Sequence, residues 1–337
     1  MQRFTHRFLS LLSITFLLSS ICACSSPKYQ PISTINITPS LSDDAAIMHD
    51  SYRLPLDLYI ANNANATVIA LHGFNDYRNA FAPLCTYLSQ HNIHCYAYDQ
   101  RGFGETQHKG FWPGEDVLQN DLIAITKLVK DKHPGLPLYV IGESMGGAVV
   151  MTAFASTQPS HVAGISLLAP AVWARSTQPW YQRLALWLTV RIAPGWKPTG
   201  KGFELVASDN NDMLRKLYKD PLVIKGTRID TLYGLTNLMD QALASAKNIS
   251  AKGIVLYGDK DEIITKKPTC KMLEQFSNGK NDLRFVLYKN GYHMLSRDLQ
   301  AKNVYQDLIS WINDADQPLT EELLISNDEW RRDYCDT

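Results

Sequence analysis

The stretch Gly142-Glu143-Ser144-Met145-Gly146, followed at once by Gly147, decides how the rest of the chain is read. Just before it, residues 137–141 form a short apolar run containing Tyr139, Val140 and Ile141, the composition of a buried strand. Just after it, residues 148–155 read as a helix. The order is therefore strand, sharp turn, helix. A serine between glycines in that setting is a nucleophile elbow, in which the turn strains the serine backbone and lifts Oγ above the sheet edge. Side chains at the flanking positions would collide with the neighbouring strand and helix, which is why glycine stands there.

The same alternation extends outward in both directions. Residues 52–60 alternate in polarity as a strand, with Pro55 suggesting a place near a sheet edge. Residues 67–71 are a continuous apolar run, as in a central parallel strand, and end at His72-Gly73-Phe74. A helix over 79–90 follows, then a strand over 93–98 that ends at Asp99-Gln100-Arg101-Gly102-Phe103-Gly104. Residues 115–132 repeat apolar side chains at helical spacing, and 162–168 read as a further strand. Strands over 253–257 and 283–288 and helices over 267–276 and 304–312 complete the pattern. Strands and helices in this order predict an α/β fold, a mostly parallel doubly wound sheet with helices on both faces. Such sheets place their sites at the carboxyl ends of the strands. The loops at His72, Asp99 and Ser144 all fall at that edge.

Residues 171–247 interrupt the alternation. They carry Trp173, Trp180, Trp187 and Trp196, an amphipathic segment over 180–192, and helical patches over 211–218 and 232–246. This is expected to be a helical cap inserted into the core formed by 50–170 and 248–316. Its tryptophans suit an apolar acyl or aryl substrate, or simply pack the cap onto the core. Residues 317–337 are expected to be an acidic surface tail.

A serine hydroxyl needs a base to take its proton and a further group to orient that base. Two histidines follow Ser144 in the chain. His161 precedes its strand and so belongs at the opposite edge of the sheet. His293 follows the last strand, at the edge where Ser144 is exposed, and is the candidate base. The orienting acid should follow a late strand, where Asp259, Asp261 and Glu262 compete, and strand position alone does not separate them. The oxyanion needs two N–H donors: one from Met145, after the nucleophile, and one from Phe74, in the loop after an early strand.

These motifs together resemble a known family. His72-Gly73-Phe74, the Asp99–Gly104 loop, the Ser144 elbow, Gly258 with Asp261 and Ile264, and His293 are similar to the monoacylglycerol lipase and lysophospholipase branch of the α/β-hydrolases, which is also grouped with serine aminopeptidases. The resemblance spans about residues 52–312 and preserves the order serine, aspartate, histidine. It implies an α/β-hydrolase fold with an inserted cap, a triad of Ser144, Asp261 and His293 cleaving carboxylic esters, and no metal or cofactor. One departure is Thr106, where the family loop usually ends in serine. An aminopeptidase-like relative would need acidic groups to hold a substrate amine, and Glu143, Glu204 and Asp209 are the candidates. Ser144 disfavours the dehalogenase and epoxide hydrolase branches, which use a carboxylate there. A non-catalytic envelope lipoprotein is the competing class, although none of the coupled groups has been lost.

The chain has 337 residues, is 45% hydrophobic and carries formal net charge zero, with no concentrated basic surface of the kind nucleic acid requires. Arg3, His6 and Arg7 precede an apolar stretch over 8–21 that is short for a membrane span and reads as an export signal. Its end, Ile21-Cys22-Ala23-Cys24, resembles the lipobox of bacterial lipoproteins. This implies a signal over 1–24, lipidation at Cys24, a tether over 25–49 and a place in the bacterial cell envelope; Ser25 suits the outer membrane. Cys85, Cys95, Cys270 and Cys335 then lie in an oxidising compartment, with three pairings open. Cys85 with Cys95 and Cys270 with Cys335 is the preferred one, since the second bridge would pin a polar tail; free buried thiols are the alternative.

Overall fold

Apolar alternation along the strands builds two cores, one on each face of a single sheet. In the computed structural model, which describes residues 26–198, 205–277, 282–319 and 334–336, Ile69 and Leu71 face one core while Val68 and Ala70 face the other. The neighbouring strand divides in the same way, Tyr96 and Tyr98 against Cys95 and Ala97. This is the two-residue period of a strand buried on both sides.

The strands are β1 (Ser40–Leu41), β2 (Ala45–Ile47), β3 (Arg53–Tyr59), β4 (Ala66–Leu71), β5 (Ile93–Tyr98), β6 (Leu138–Glu143), β7 (Gly164–Leu168), β8 (Lys252–Gly258) and β9 (Asp282–Tyr288), ordered β1-β2-β3-β5-β4-β6-β7-β8-β9. From β5 to β9 every pairing is parallel, and β1, β2 and β3 join antiparallel. Helices α1 (Ala82–Gln90) and α8 (Ala301–Asn313) cover one face; α2 (Glu115–Lys132), α3 (Met145–Ser156) and α7 (Lys266–Ser277) cover the other. The fold is that of an α/β-hydrolase.

Between β7 and β8 lie α4 (Trp180–Ile192), α5 (Asn211–Lys219) and α6 (Ile229–Ser245). The last of these is more than a cap. Leu238, Met239, Ala242 and Leu243 are buried in the core beside α3, so the second half of α6 is a core helix. In contrast, only Val190 of α4 is buried.

Three expectations need correction. The tether over 25–49 is largely part of the body: β1 and β2 extend the sheet, Gln30 N donates to the Trp112 carbonyl at 2.9 Å, and Lys28 N donates to Asp230 at 3.2 Å. Pro55 is consequently not at a sheet edge. It faces Ala45 at the end of the three-residue β2, where its missing N–H interrupts little of the ladder. The acidic tail over 317–337 is not wholly an appendage, because Tyr334 is buried against Tyr257 and Phe285. The cysteines pair as Cys85–Cys95 and Cys270–Cys335, with Cα separations of 5.3 and 5.7 Å. Cys24 and Glu204 lie outside the described residues.

Candidate active site

Ser144 directly follows β6 and is the N-cap residue of α3, held at φ 53° and ψ −114°. A non-glycine residue with positive φ costs on the order of 1–3 kcal/mol and persists only where its surroundings hold it. Here its amide donates to Leu168 O at 2.9 Å, while its carbonyl accepts from Ala148 N and Ala171 N. The elbow also needs close approach. A Cβ at Gly146 would come within 2.2 Å of the Leu71 carbonyl oxygen.

His293 lies in the loop after β9 and Asp261 in the turn after β8. The two loops meet at Gly258, where a Cβ would lie 2.3 Å from the Gly291 oxygen. His293 Nδ1 is 2.8 Å from Asp261 Oδ2, and both residues are buried. The other oxygen, Asp261 Oδ1, accepts from the amides of Ile263 and Ile264 at 2.8 and 2.9 Å. The competing acids are engaged elsewhere: Asp259 accepts from Asn290 N, and Glu262 accepts from Val206 N. Burial pulls the His293 pKa down, but the charge and hydrogen bond of Asp261, with Glu143 behind, outweigh it and hold the pKa above its ordinary value. His161 sits apart, bonded to Thr126 Oγ1 at 3.0 Å.

Phe74 and Met145 are placed at the serine as well. Met145 is the first residue of α3, so its N–H has no intrahelical acceptor. Phe74 follows Gly73, where a Cβ would lie 3.4 Å from the Ser144 Cβ. His72 orients this peptide. Its Nε2 accepts from Gln100 N at 3.0 Å, which puts the ring proton on Nδ1, and Nδ1–H donates to Gly73 O at 2.8 Å. The Gly73 carbonyl and the Phe74 N–H belong to one trans peptide and point opposite ways, so fixing the oxygen aims the N–H. Burial lowers the His72 pKa and keeps the ring neutral for this task.

The ion cluster behind the serine was not foreseen as a unit. Arg297, 7% exposed, donates to Asp76 at 2.7 Å and to Glu143 at 2.8 Å, and Ser296 Oγ donates to Glu143 at 2.6 Å. The signal in the sequence was slight: Arg297 is one basic residue, four positions past His293. Asp209, the remaining described candidate for holding an amine, accepts from Leu299 N.

Ser144 and His293 open into a cavity of about 480 Å³ whose walls include Trp173, Leu186, Leu232, Leu235, Met239 and Ile264. Most of these come from the segment between β7 and β8. A strained serine, a buried histidine–carboxylate pair and an apolar cavity are the parts needed for acyl transfer.

Comparison with known proteins agrees with that geometry. A family model described as "Serine aminopeptidase, S33" matches residues 62–300. The chain belongs to this family of α/β-hydrolases. It is 22% identical over 253 residues to a monoglyceride lipase of Homo sapiens, covering 74% of this chain and 82% of that protein. A monoacylglycerol lipase of Mycolicibacterium smegmatis is 26% identical over 251 residues, covering 73% of this chain and 87% of its own. Among solved structures, a monoacylglycerol lipase of Paleococcus ferrophilus superposes with a TM-score of 0.64 at 20% identity, covering 77% of this chain and 98% of that one. A soluble variant of the Saccharomyces cerevisiae monoglyceride lipase, bound to a substrate analogue, gives 0.67 at 19% identity, covering 87% and 100%. These structural likenesses show the fold.

Proposed function

We propose that the protein is a serine hydrolase of carboxylic esters, acting on lipid-like substrates of the monoacylglycerol or lysophospholipid type. The observation that carries this reading is the buried His293–Asp261 pair opening with strained Ser144 into one apolar cavity. Ser144 Oγ attacks the acyl carbonyl while His293 Nε2 takes its proton. Asp261 holds the imidazole and balances the imidazolium. The Phe74 and Met145 N–H groups receive the oxyanion, and His293 returns the proton to the leaving alcohol. Water activated by His293 then cleaves the acyl-enzyme. The names of the relatives support this substrate class.

The family description includes aminopeptidases, but the acids beside this serine are already engaged. Glu143 and Asp76 share one buried guanidinium and further donors, which leaves neither free to hold a substrate ammonium. This favours an ester with an uncharged acyl group over an aminoacyl amide.

The outer surface fits a substrate that arrives from a membrane. Along α4, Trp180, Leu184, Trp187, Leu188 and Ile192 share one side at helical spacing and are each 47–72% exposed. Arg191 stacks over Trp187 at 4.1 Å and adds positive charge. Aromatic and basic residues side by side are the composition of an interfacial helix. Asp230, which holds Lys28, also donates its amide to Pro194 O at 3.0 Å, just beyond the end of α4. If Cys24 carries lipid, Lys28 stands four positions further along, a reach of at most about 14 Å. Anchor and apolar helix would then approach one surface together, in the bacterial envelope that the lipobox implies.

The test is hydrolysis of a graded series, from short aryl esters to long-chain monoacylglycerols and lysophospholipids plus an aminoacyl amide, by protein beginning at Ser25, with Ser144→Ala alongside. Turnover rising with acyl length and lost in the variant is expected. Turnover confined to the amide would sink the proposal.

A further inference from the structure

We propose that the C-terminal segment at Tyr334, locked by the Cys270–Cys335 disulfide, positions Asp261 for catalysis by way of Tyr257. The inference rests on the catalytic reading of Asp261 given above.

Asp261 lies in the turn between β8 and α7, and its direction depends on what holds that turn. From inside, Ile263 and Ile264 donate to its Oδ1, and its own amide donates to Gly258 O at 3.2 Å. From behind, the Tyr257 hydroxyl donates to the Ile264 carbonyl. That bond ties the far end of the turn to the strand from which the turn departs. It is a buried bond: Tyr257 is 1% exposed, in the same core cluster as Met272 and Leu273 of α7.

Tyr334 helps to keep it buried. Its ring meets Tyr257 edge to face at 5.9 Å and lies 6.0 Å from Phe285, with Lys266 Nζ 5.5 Å from its centroid. The next residue, Cys335, is bonded to Cys270 of α7, the helix that begins directly after the acid turn. The disulfide thus fastens the cover to the element whose start it protects. Removing it exposes one side of Tyr257 to water, which then competes for the Ile264 carbonyl, and the turn carrying Asp261 loses its rear support. A shift of about 1 Å in a catalytic group costs up to about a hundredfold in rate.

His293 faces Asp261, Glu143 and Arg297. When Asp261 moves off, the group that most favours imidazolium is lost and burial acts against what remains. The acid limb of activity therefore moves to lower pH as the rate falls. Simple destabilisation would reduce the amount of reactive protein and leave that limb in place.

The experiment measures the second-order rate of Ser144 labelling by an alkyl fluorophosphonate against pH, on the full chain, in wild type, Cys270→Ser/Cys335→Ser and Tyr257→Phe. Both variants are expected to label about tenfold to a hundredfold more slowly, with the acid limb displaced downward. Either variant labelling at the wild-type rate with an unmoved limb would overturn the latch while leaving the site reading intact. Wild type failing to label at Ser144 would overturn the site reading itself, and the latch with it.

Discussion

At the scale of single residues, the site is a set of positions where one atom's placement carries the chemistry. Asp261 and Asp259 stand two residues apart in one turn, yet the first faces His293 and the second holds the amide of Asn290. Asp261→Asn should lower kcat by about 10⁴-fold through loss of the correct tautomer and of charge balance, and Asp259→Asn should leave it within a few-fold; steady-state kinetics on a soluble ester checks both. Because Asp261 holds the His293 pKa above its ordinary value, imidazolium persists to higher pH than in a free histidine. Activity should therefore fall on the acid side with a midpoint above about 6.5, and a pH profile of kcat/KM reads it. That Ser144 and His293 lie at one edge of the sheet was legible in the sequence from topology alone. The choice between the two aspartates was not, since it depends on which way a turn points its side chains, and only the family resemblance singled out Asp261.

At the scale of elements, the cluster of Asp76, Glu143 and Arg297 joins the segment after β4, the end of β6 and the segment after β9 behind the elbow, and its value lies in being complete. Arg297→Met leaves two buried carboxylates without their cation and should destabilise the fold by about 3–5 kcal/mol. Adding Asp76→Asn and Glu143→Gln should recover most of that loss, and thermal melts of the single and triple variants give the comparison. Strand and helix existence was legible because the central strands are largely apolar and helices such as α2 repeat apolar side chains at helical spacing. Where the reading failed, the signal was weak for a physical reason. β1 and β2 have two and three residues, too few for alternation to show, and their place is settled by their partners, β1 on β2 and β2 on β3. Likewise α6 reads as part of a cap because it lies within the insertion, yet its apolar face is long enough to join the core beside α3.

At the scale of the whole molecule, the segment between β7 and β8 supplies most of the cavity wall on its inner side and exposed tryptophans on its outer side. Among the described residues no helix is long and apolar enough to cross a membrane, so any attachment by this surface is interfacial. Apolar side chains of this size are worth about 1.5–3 kcal/mol each when buried. Trp187→Ser with Leu188→Ser should weaken partitioning onto vesicles containing anionic lipid by at least about tenfold, with turnover of a short soluble ester unchanged; co-sedimentation and a parallel ester assay separate the two. The N-terminal residues that join the sheet, and the C-terminal pair held by Cys335, bring both ends of the described chain onto the hydrolase body. The C-terminal attachment was foreshadowed by Cys335 alone, and the N-terminal docking by nothing, because polar segments carry no periodic pattern and their contacts are made to distant residues such as Asp230 and Tyr257.

The central claim is that Ser144, activated by His293, forms a covalent acyl intermediate. Intact-mass and peptide mass spectrometry of protein quenched during turnover of an activated aryl ester tests it most directly, in wild type and in His293→Ala. The account predicts one acyl group on the peptide containing Ser144 in wild type and none in the variant within the same time. Acylation at another residue, or equal acylation of Ser144 without His293, would contradict it.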